Sequence, residues 1–281
     1  GQDVDGVIGI DPVFLQYLLG LVGNVSLPDG TVVDGTNAAK VLMHDVYWNY
    51  PVEESDGIFA SVASAAFDKI LGGIGDVDVT KLVSAVERGA EEGRLIAWMR
   101  NDDEQNAIKE TGIDASLPDP DDPSADPVAG VYFNNLSFSK LDWYLNADTQ
   151  IGQGVKNGDG TCSYRITVTL TNIMTQEEAG KLPDYVAASA PDAARDDERL
   201  NVSLFAPTGG NISDLTVEGT QFGLGAATWH GIPFYSGTVD LHAGETTTIT
   251  YTLTTSAEAG DKPLTLRQTP TCQAARDSAS A

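Results

Sequence analysis

Three large aromatic rings and a histidine fall within seven residues, Trp229-His-Gly-Ile-Pro-Phe-Tyr235, just after the glycine-bracketed Gly223-Leu-Gly225. Planar rings held in a loop can stack on sugar rings or grip a protein partner. The same rings can also plug the open end of an apolar core. Trp229, His230 and Tyr235 are therefore the candidate ligand-binding residues. The candidate catalytic residue is Asp45. It falls on the apolar stripe of a helix that carries Ala38, Val41, Leu42 and Trp48, where a carboxylate must find a partner or shift its pKa. Arg94 or Arg100 is the expected partner.

Other chemistry is excluded by what the sequence lacks. There is no phosphate-cradling Gly-Lys-Ser/Thr loop, no dinucleotide fingerprint and no Gly-x-Ser-x-Gly elbow. His44, His230 and His242 are scattered, and the two cysteines do not sit at ligand spacing, so no metal is assigned. His44 is read as satisfied or solvated. The acidic run from Asp119 to Asp126 could gather a divalent cation such as Ca²⁺, but it lacks the glycine and spacing of an EF-hand loop. It is read as a solvated segment, and no cofactor is expected. Asp11 is read as a helix cap. With 41 acidic residues, pairs of acids are easily found, so glycoside hydrolysis would need two of them facing one cleft.

The charge balance is the strongest global constraint. Sixteen basic against 41 acidic residues give −25 at neutral pH. That opposes nucleic-acid binding, which depends on neutralising phosphates, and docking on an anionic membrane surface. No apolar run reaches the roughly 18 residues of a membrane span. Solubility in a salty or extracellular medium is the simplest reading.

These residues must be positioned by two different kinds of structure, joined by a linker. Residues 1–115 read as an α/β part. Val4 to Ile10 is a short β-branched run that reads as a strand buried on both faces. Asp11-Pro12 then caps a helix carrying Val13, Phe14, Tyr17, Leu18 and Leu21, as in half a βαβ unit. Further helices start near Asn37, Ser55, Asp78 and Asp102, and Arg94 to Met99 is a strand. Residues 116–129 hold a linker in which Leu117 to Pro127 has four prolines and four aspartates. Residues 130–281 carry regularly spaced strands, among them Leu141 to Leu145, which together suggest an antiparallel β-sandwich. Cys162 and Cys272 bracket that part and suit a disulfide in an oxidising compartment.

The stretch Val4-Asp-Gly-Val-Ile-Gly-Ile-Asp-Pro-Val-Phe-Leu-Gln-Tyr-Leu-Leu-Gly-Leu-Val-Gly23 resembles domain-of-unknown-function family four-thousand-and-twelve, secreted envelope proteins of high-GC Gram-positive bacteria. Leu27-Pro-Asp-Gly-Thr31, Asn37-Ala-Ala-Lys-Val-Leu42, Gly130-Val-Tyr-Phe-Asn-Asn135, Ser139-Lys-Leu-Asp-Trp-Tyr144 and Ala243-Gly-Glu-Thr246 support it. More distantly, the first hundred residues look like the second half of a LytR-CpsA-Psr domain, whose arginines grip a polyprenyl pyrophosphate during glycopolymer transfer. The segment matching one arginine-bearing stretch, Leu42 to Phe59, contains no arginine.

The resemblance implies an extracellular cell-envelope protein, membrane-anchored through an absent N-terminal segment. The favoured reading is a non-enzymatic role, binding a cell-wall glycopolymer or an envelope protein. The alternatives are a glycopolymer phosphotransferase with its arginines upstream, and a glycoside hydrolase. The Val4 to Ile10 strand has few neighbours in prospect. It is expected in a small sheet completed by the second half, or beside a missing N-terminal segment of the same protein.

Overall fold

The structure, a computed structural model, describes residues 3–27, 29–73, 77–114, 116–218 and 225–273. Helices and strands are mixed, as expected, and the chain divides into two compact units, 1–116 and 117–281. Gly223 and Leu224 lie outside the described residues.

In the first unit, β1 (Gly6–Ile10) leads into α1 (Pro12–Val22). The Asp11 carboxylate accepts from Phe14 N at 2.7 Å, as the Asp-Pro signal predicts. A two-residue ribbon of β2 (Val25–Ser26) and β3 (Val32–Val33) follows. α2 (Ala38–Lys40) and α3 (Val46–Asn49) are joined by a π-helical turn, Val41–Asp45. Then come α4 (Val52–Gly73), α5 (Val79–Glu91), β4 (Leu95–Met99) and α6 (Asp102–Thr111). Leu15, Leu19, Val33, Val41, Val46 and Val62 share one core, while Phe14, Leu18 and Leu95 share a second. Gly89 lies where any Cβ would strike the Phe14 ring, so α5 reaches α1 only through a glycine.

Two expectations for this unit are corrected. β1 is not half of a βαβ unit, because it pairs antiparallel with β4 in a two-stranded sheet. It is also not buried on both faces: Val7, Ile8 and Ile10 are all exposed. An apolar run looks the same in sequence whether or not another layer covers it. Phe67, Leu71 and Val83, expected on inner helix stripes, are exposed for the same reason.

What holds β4 to the start of α1 is a buried cation. The Arg94 side chain is only 4% exposed; Nη1 reaches Asp11 at 2.6 Å and Nε reaches Glu92. Glu92 also accepts from Tyr17 and Arg88. Burial works against its charge, but the hydrogen bonds from Arg88, Arg94 and Tyr17 hold its carboxyl below the ordinary range. Asp11→Ala removes a cap and one partner of this guanidinium together. The variant is expected to lose about 2–3 kcal/mol of stability, read as a lower denaturant midpoint for the first unit.

The second unit contains two five-stranded sheets. One has the order β10 (Asn211–Glu218), β13 (Thr246–Thr254), β8 (Cys162–Asn172), β6 (Leu145–Ile151), with β7 (Val155–Lys156) pairing on β8. The other runs β11 (Gly225–Trp229), β12 (Ile232–Leu241), β9 (Glu198–Phe205), β5 (Val128–Asn135), β14 (Thr265–Gln268). All pairings are antiparallel except β14 with β5. Alternate residues of both sheets enter one core: Val131, Leu200, Val202 and Val239 from one, Ile166, Val168, Ile249 and Leu253 from the other. Leu141–Tyr144, expected as a strand, is a 3₁₀ turn, and a short helix α7 (Gln176–Ala179) follows β8. The Pro/Asp-rich segment lies along this unit. Its Asp119 and Ser124 carbonyls accept from Thr208 and Lys262.

The expected Cys162–Cys272 disulfide is not formed. Gln273 donates to the Trp143 carbonyl at 2.8 Å, which ties the chain after β14 to the start of β6. There Leu145 pairs with Asn172, the far end of β8 from Cys162. At about 3.3 Å per residue along the strand, the two cysteines are separated by roughly 30 Å, against the ~7 Å limit between Cα atoms that a disulfide imposes. Alkylation of the unfolded, unreduced chain is expected to add two labels by mass. No label at either cysteine would contradict this arrangement.

Candidate functional site

β9 decides which side chains face outward in its sheet. Leu200, Val202 and Leu204 enter the core, so Asn201, Ser203 and Phe205 face the other way. Phe205 pairs across to Phe234 of β12, and their rings stack at 4.7 Å and 9°. Tyr132 of β5 meets Phe205 edge-on at 5.7 Å. β11 and β12 form a hairpin whose turn is His230-Gly231, with φ of 48° and 86°. Both residues need the left-handed conformation that suits the strand twist.

This hairpin places Trp229 and Ile232 beside Phe205. Leu117, Pro118, Tyr132, Phe205, Trp229 and Ile232 line a shallow open groove with no charged side chain in its wall. Trp229 remains 39% exposed. Along the same outward face the residues become polar. Ser203 and Ser236 hydroxyls meet at 3.0 Å, and Ser236 donates to Asn201 at 3.0 Å. Beyond them Arg199 pairs with Asp240 at 2.7 Å.

The predicted ligand-binding trio is thus divided. Trp229 and His230 lie together, ring on ring edge at 4.2 Å. Tyr235 points to the opposite face and packs against the core. The segment expected to be a loop is a strand hairpin. Sequence reading missed Phe205, Tyr132, Leu117 and Pro118. The available signal was strand alternation, since Tyr132 and Phe205 fall out of phase with the aliphatic residues of their strands.

Asp45 does not reach Arg94 or Arg100. Its Oδ1 accepts from Lys40 Nζ at 2.6 Å and lies 2.7 Å from His44 Nδ1, while the His44 ring stacks on Trp48 at 5.3 Å. The π turn widens the helix by one residue there, which rotates Asp45 off the inner stripe. A helix-period reading cannot anticipate that rotation. Arg88, Arg94 and Arg100, all the arginines of this unit, each pair with a carboxylate. Among the described residues no group of three His, Cys, Asp or Glu is placed to hold a metal ion.

Another pair of acids went unnoticed in the sequence. Glu198 begins β9 on its inward face and has no exposed surface. Asn135 Nδ2 lies 3.5 Å from its Oε1, 3.1 Å from Asp142 Oδ2 and 3.0 Å from Ser139 Oγ. Glu198 Oε2 has no partner among the described residues. Burial, reinforced by Asp142 and Asp197, pushes the Glu198 carboxyl well above its ordinary range. Burial raises Asp142 as well, against the Asn135 hydrogen bond. Glu198 is enclosed in the core, out of reach of a substrate.

The pH effect of Glu198 has a definite sign. A folded-state pKa above the unfolded value of about 4.5 gives a contribution fully present below that pH. It is lost as pH rises through the folded value, because the unfolded chain releases its proton first. Glu198→Gln keeps the shape without the ionisation. Its stability is expected to match the parent near pH 4 and to exceed it increasingly as pH rises above the unfolded value, by up to about 1.4 kcal/mol per pH unit until the folded value is passed, read from thermal midpoints.

A family model matches the start of the chain. Residues 1–47 match the model of a family described as Protein of unknown function (DUF4012), the family named from the sequence. No curated protein matches. A crystal structure of a Legionella pneumophila protein to which nutrient binding has been ascribed matches with 10% identity and a TM-score of 0.25. It covers 47% of this chain and 45% of its own, a likeness too slight to carry any argument.

Proposed function

We propose that the protein is a non-enzymatic binding protein of the cell envelope, and that its second unit holds a neutral glycan chain in the Trp229 groove. The observation that carries this reading is the pairing of an aromatic groove with a hydroxyl and amide row on one sheet face. Sugar rings need both, an apolar plane against their C–H face and hydrogen-bond partners for their hydroxyls. A net charge of −25 disfavours anionic polymers. In this reading the two sheets form a β-sandwich, and the first unit is a LytR-CpsA-Psr-like part lying outside the cell.

The transferase alternative receives less support. A diphosphate calls for cationic donors, and since each arginine of the first unit already pairs with a carboxylate, that alternative depends on arginines upstream of the given residues. The hydrolase alternative requires two acids on a cleft, whereas Glu198 is enclosed.

Titration with neutral oligosaccharides released from purified cell wall is expected to quench the tryptophan emission saturably. Trp229→Ala should weaken binding about tenfold or more with the thermal midpoint unchanged. A parent protein that binds none of these oligosaccharides above background would refute the glycan reading. Saturable capture of a protein partner through the same groove would replace it with the partner reading.

A further inference from the structure

The enclosed part of the Trp229 groove is small and apolar. It holds about 20 Å³, room for about one or two groups the size of a water and far too little for a sugar ring. Leu117, Pro118, Val128 and Ile232 offer it only carbon, and among the side chains of the wall only Tyr132 and Trp229 carry a polar atom. The main chain is committed as well. Gly130 pairs with Phe205 across the β5–β9 ladder, and Ala206 N donates to the Pro233 carbonyl. A Cβ on Gly130 would lie 2.8 Å from the Tyr132 ring and 3.0 Å from Phe205 Cβ. Its φ is not positive, so the closing of these rings over it, and not backbone geometry, calls for glycine. Burial raises the Tyr132 hydroxyl above its ordinary pKa, the direction that an apolar surround imposes.

Polar groups begin one step further along the same face. Ser203 and Ser236 share the register row of Tyr132, two residues along their strands from Phe205 and Phe234, or about 7 Å away. A pyranose ring laid across this step sets one edge over the depression and the opposite edge over the hydroxyls. On the second edge its own hydroxyls find partners. On the first, a hydroxyl would leave water for a wall of hydrocarbon, whereas a methyl group would gain contact there.

We propose that the depression seats a methyl group, so that the neutral glycan held on this face carries methyl-bearing rings, as a 6-deoxy carbon or as the end of an acetamido group. The inference rests on the glycan reading above and narrows its substrate class. The two sources share the methyl and differ in what accompanies it. An acetamido group brings an amide that must reach Ser203, Ser236 or Asn201, and a 6-deoxy carbon brings nothing polar.

Three synthetic disaccharides that differ only in the terminal ring test the proposal: a hexose, its 6-deoxy analogue and its 2-acetamido analogue. Each is titrated against the full 281-residue chain and followed by NMR. At least one methyl-bearing disaccharide is expected to bind about tenfold or more tighter than the hexose, with saturation transfer from the protein strongest at its methyl protons. The one that does so names the source of the methyl. Leu117→Ala removes part of the apolar wall at a residue that is 44% exposed, so the thermal midpoint should hold. Affinity for the methyl-bearing sugar should fall about fivefold, and affinity for the hexose should not change. A hexose that binds as tightly as both analogues overturns the proposal, as does a methyl preference that Leu117→Ala leaves intact. So does a set of three that fails to bind while wall oligosaccharides bind, and the glycan reading then stands. If wall oligosaccharides also fail to bind, both readings fall.

Discussion

The period-two register of β9, held between β5 and β12, decides what the second unit displays and what it hides. Eight residues send Glu198, Leu200, Val202 and Leu204 inward and Arg199, Asn201, Ser203 and Phe205 outward. The inward set closes the apolar core shared by both sheets. The outward set begins at an ion pair, passes through hydroxyls and an amide, and ends at the aromatic groove. A slip of one residue would expose the leucines and bury the phenylalanine and the arginine. The same strand thus supplies both the stability of the unit and the chemistry of its surface. Its one irregularity is Glu198 in a core position, where burial raises its pKa and Asn135 Nδ2 lies 3.5 Å from its Oε1.

The first unit rests on a different kind of constraint. Its two-stranded sheet is too small to bury both faces, and an isolated ribbon is marginal in water. Arg94 compensates by joining the β4 entry to the α1 cap and to the end of α5 through carboxylates. The Asp11 side chain therefore acts twice, as a helix cap and as a counter-ion. The Arg94 guanidinium is thereby engaged in holding the shape of the unit.

Much of this was legible in the sequence, and the failures have physical causes. The Asp11-Pro12 cap, the Asn157-Gly-Asp-Gly160 turn between β7 and β8, and the threonine-rich strands follow from local chemistry, and local chemistry is what a sequence records most directly. The exposure of β1 was not legible, because hydrophobicity states what a strand can bury and not what surrounds it. Asp45 was misplaced because a single π turn breaks helical phase without any residue that announces it. The disulfide failed on topology. Two cysteines bracketing a set of strands say nothing about which ends of the sheets they occupy. Trp229 was found by its neighbours in sequence, whereas Phe205 and Tyr132 reach it only through cross-strand pairing.

The proposal of neutral-glycan binding rests on the groove of aromatic residues, the polar row beside it and the large negative charge of the chain. The most direct test is hydrogen exchange read by mass spectrometry, with and without neutral wall oligosaccharides. Glycan binding in the groove predicts slower exchange confined to 117–132, 201–206 and 229–236, where the groove and its polar row lie. Unchanged exchange in those segments, or protection centred instead on Asp45 and the helices around it, would contradict it.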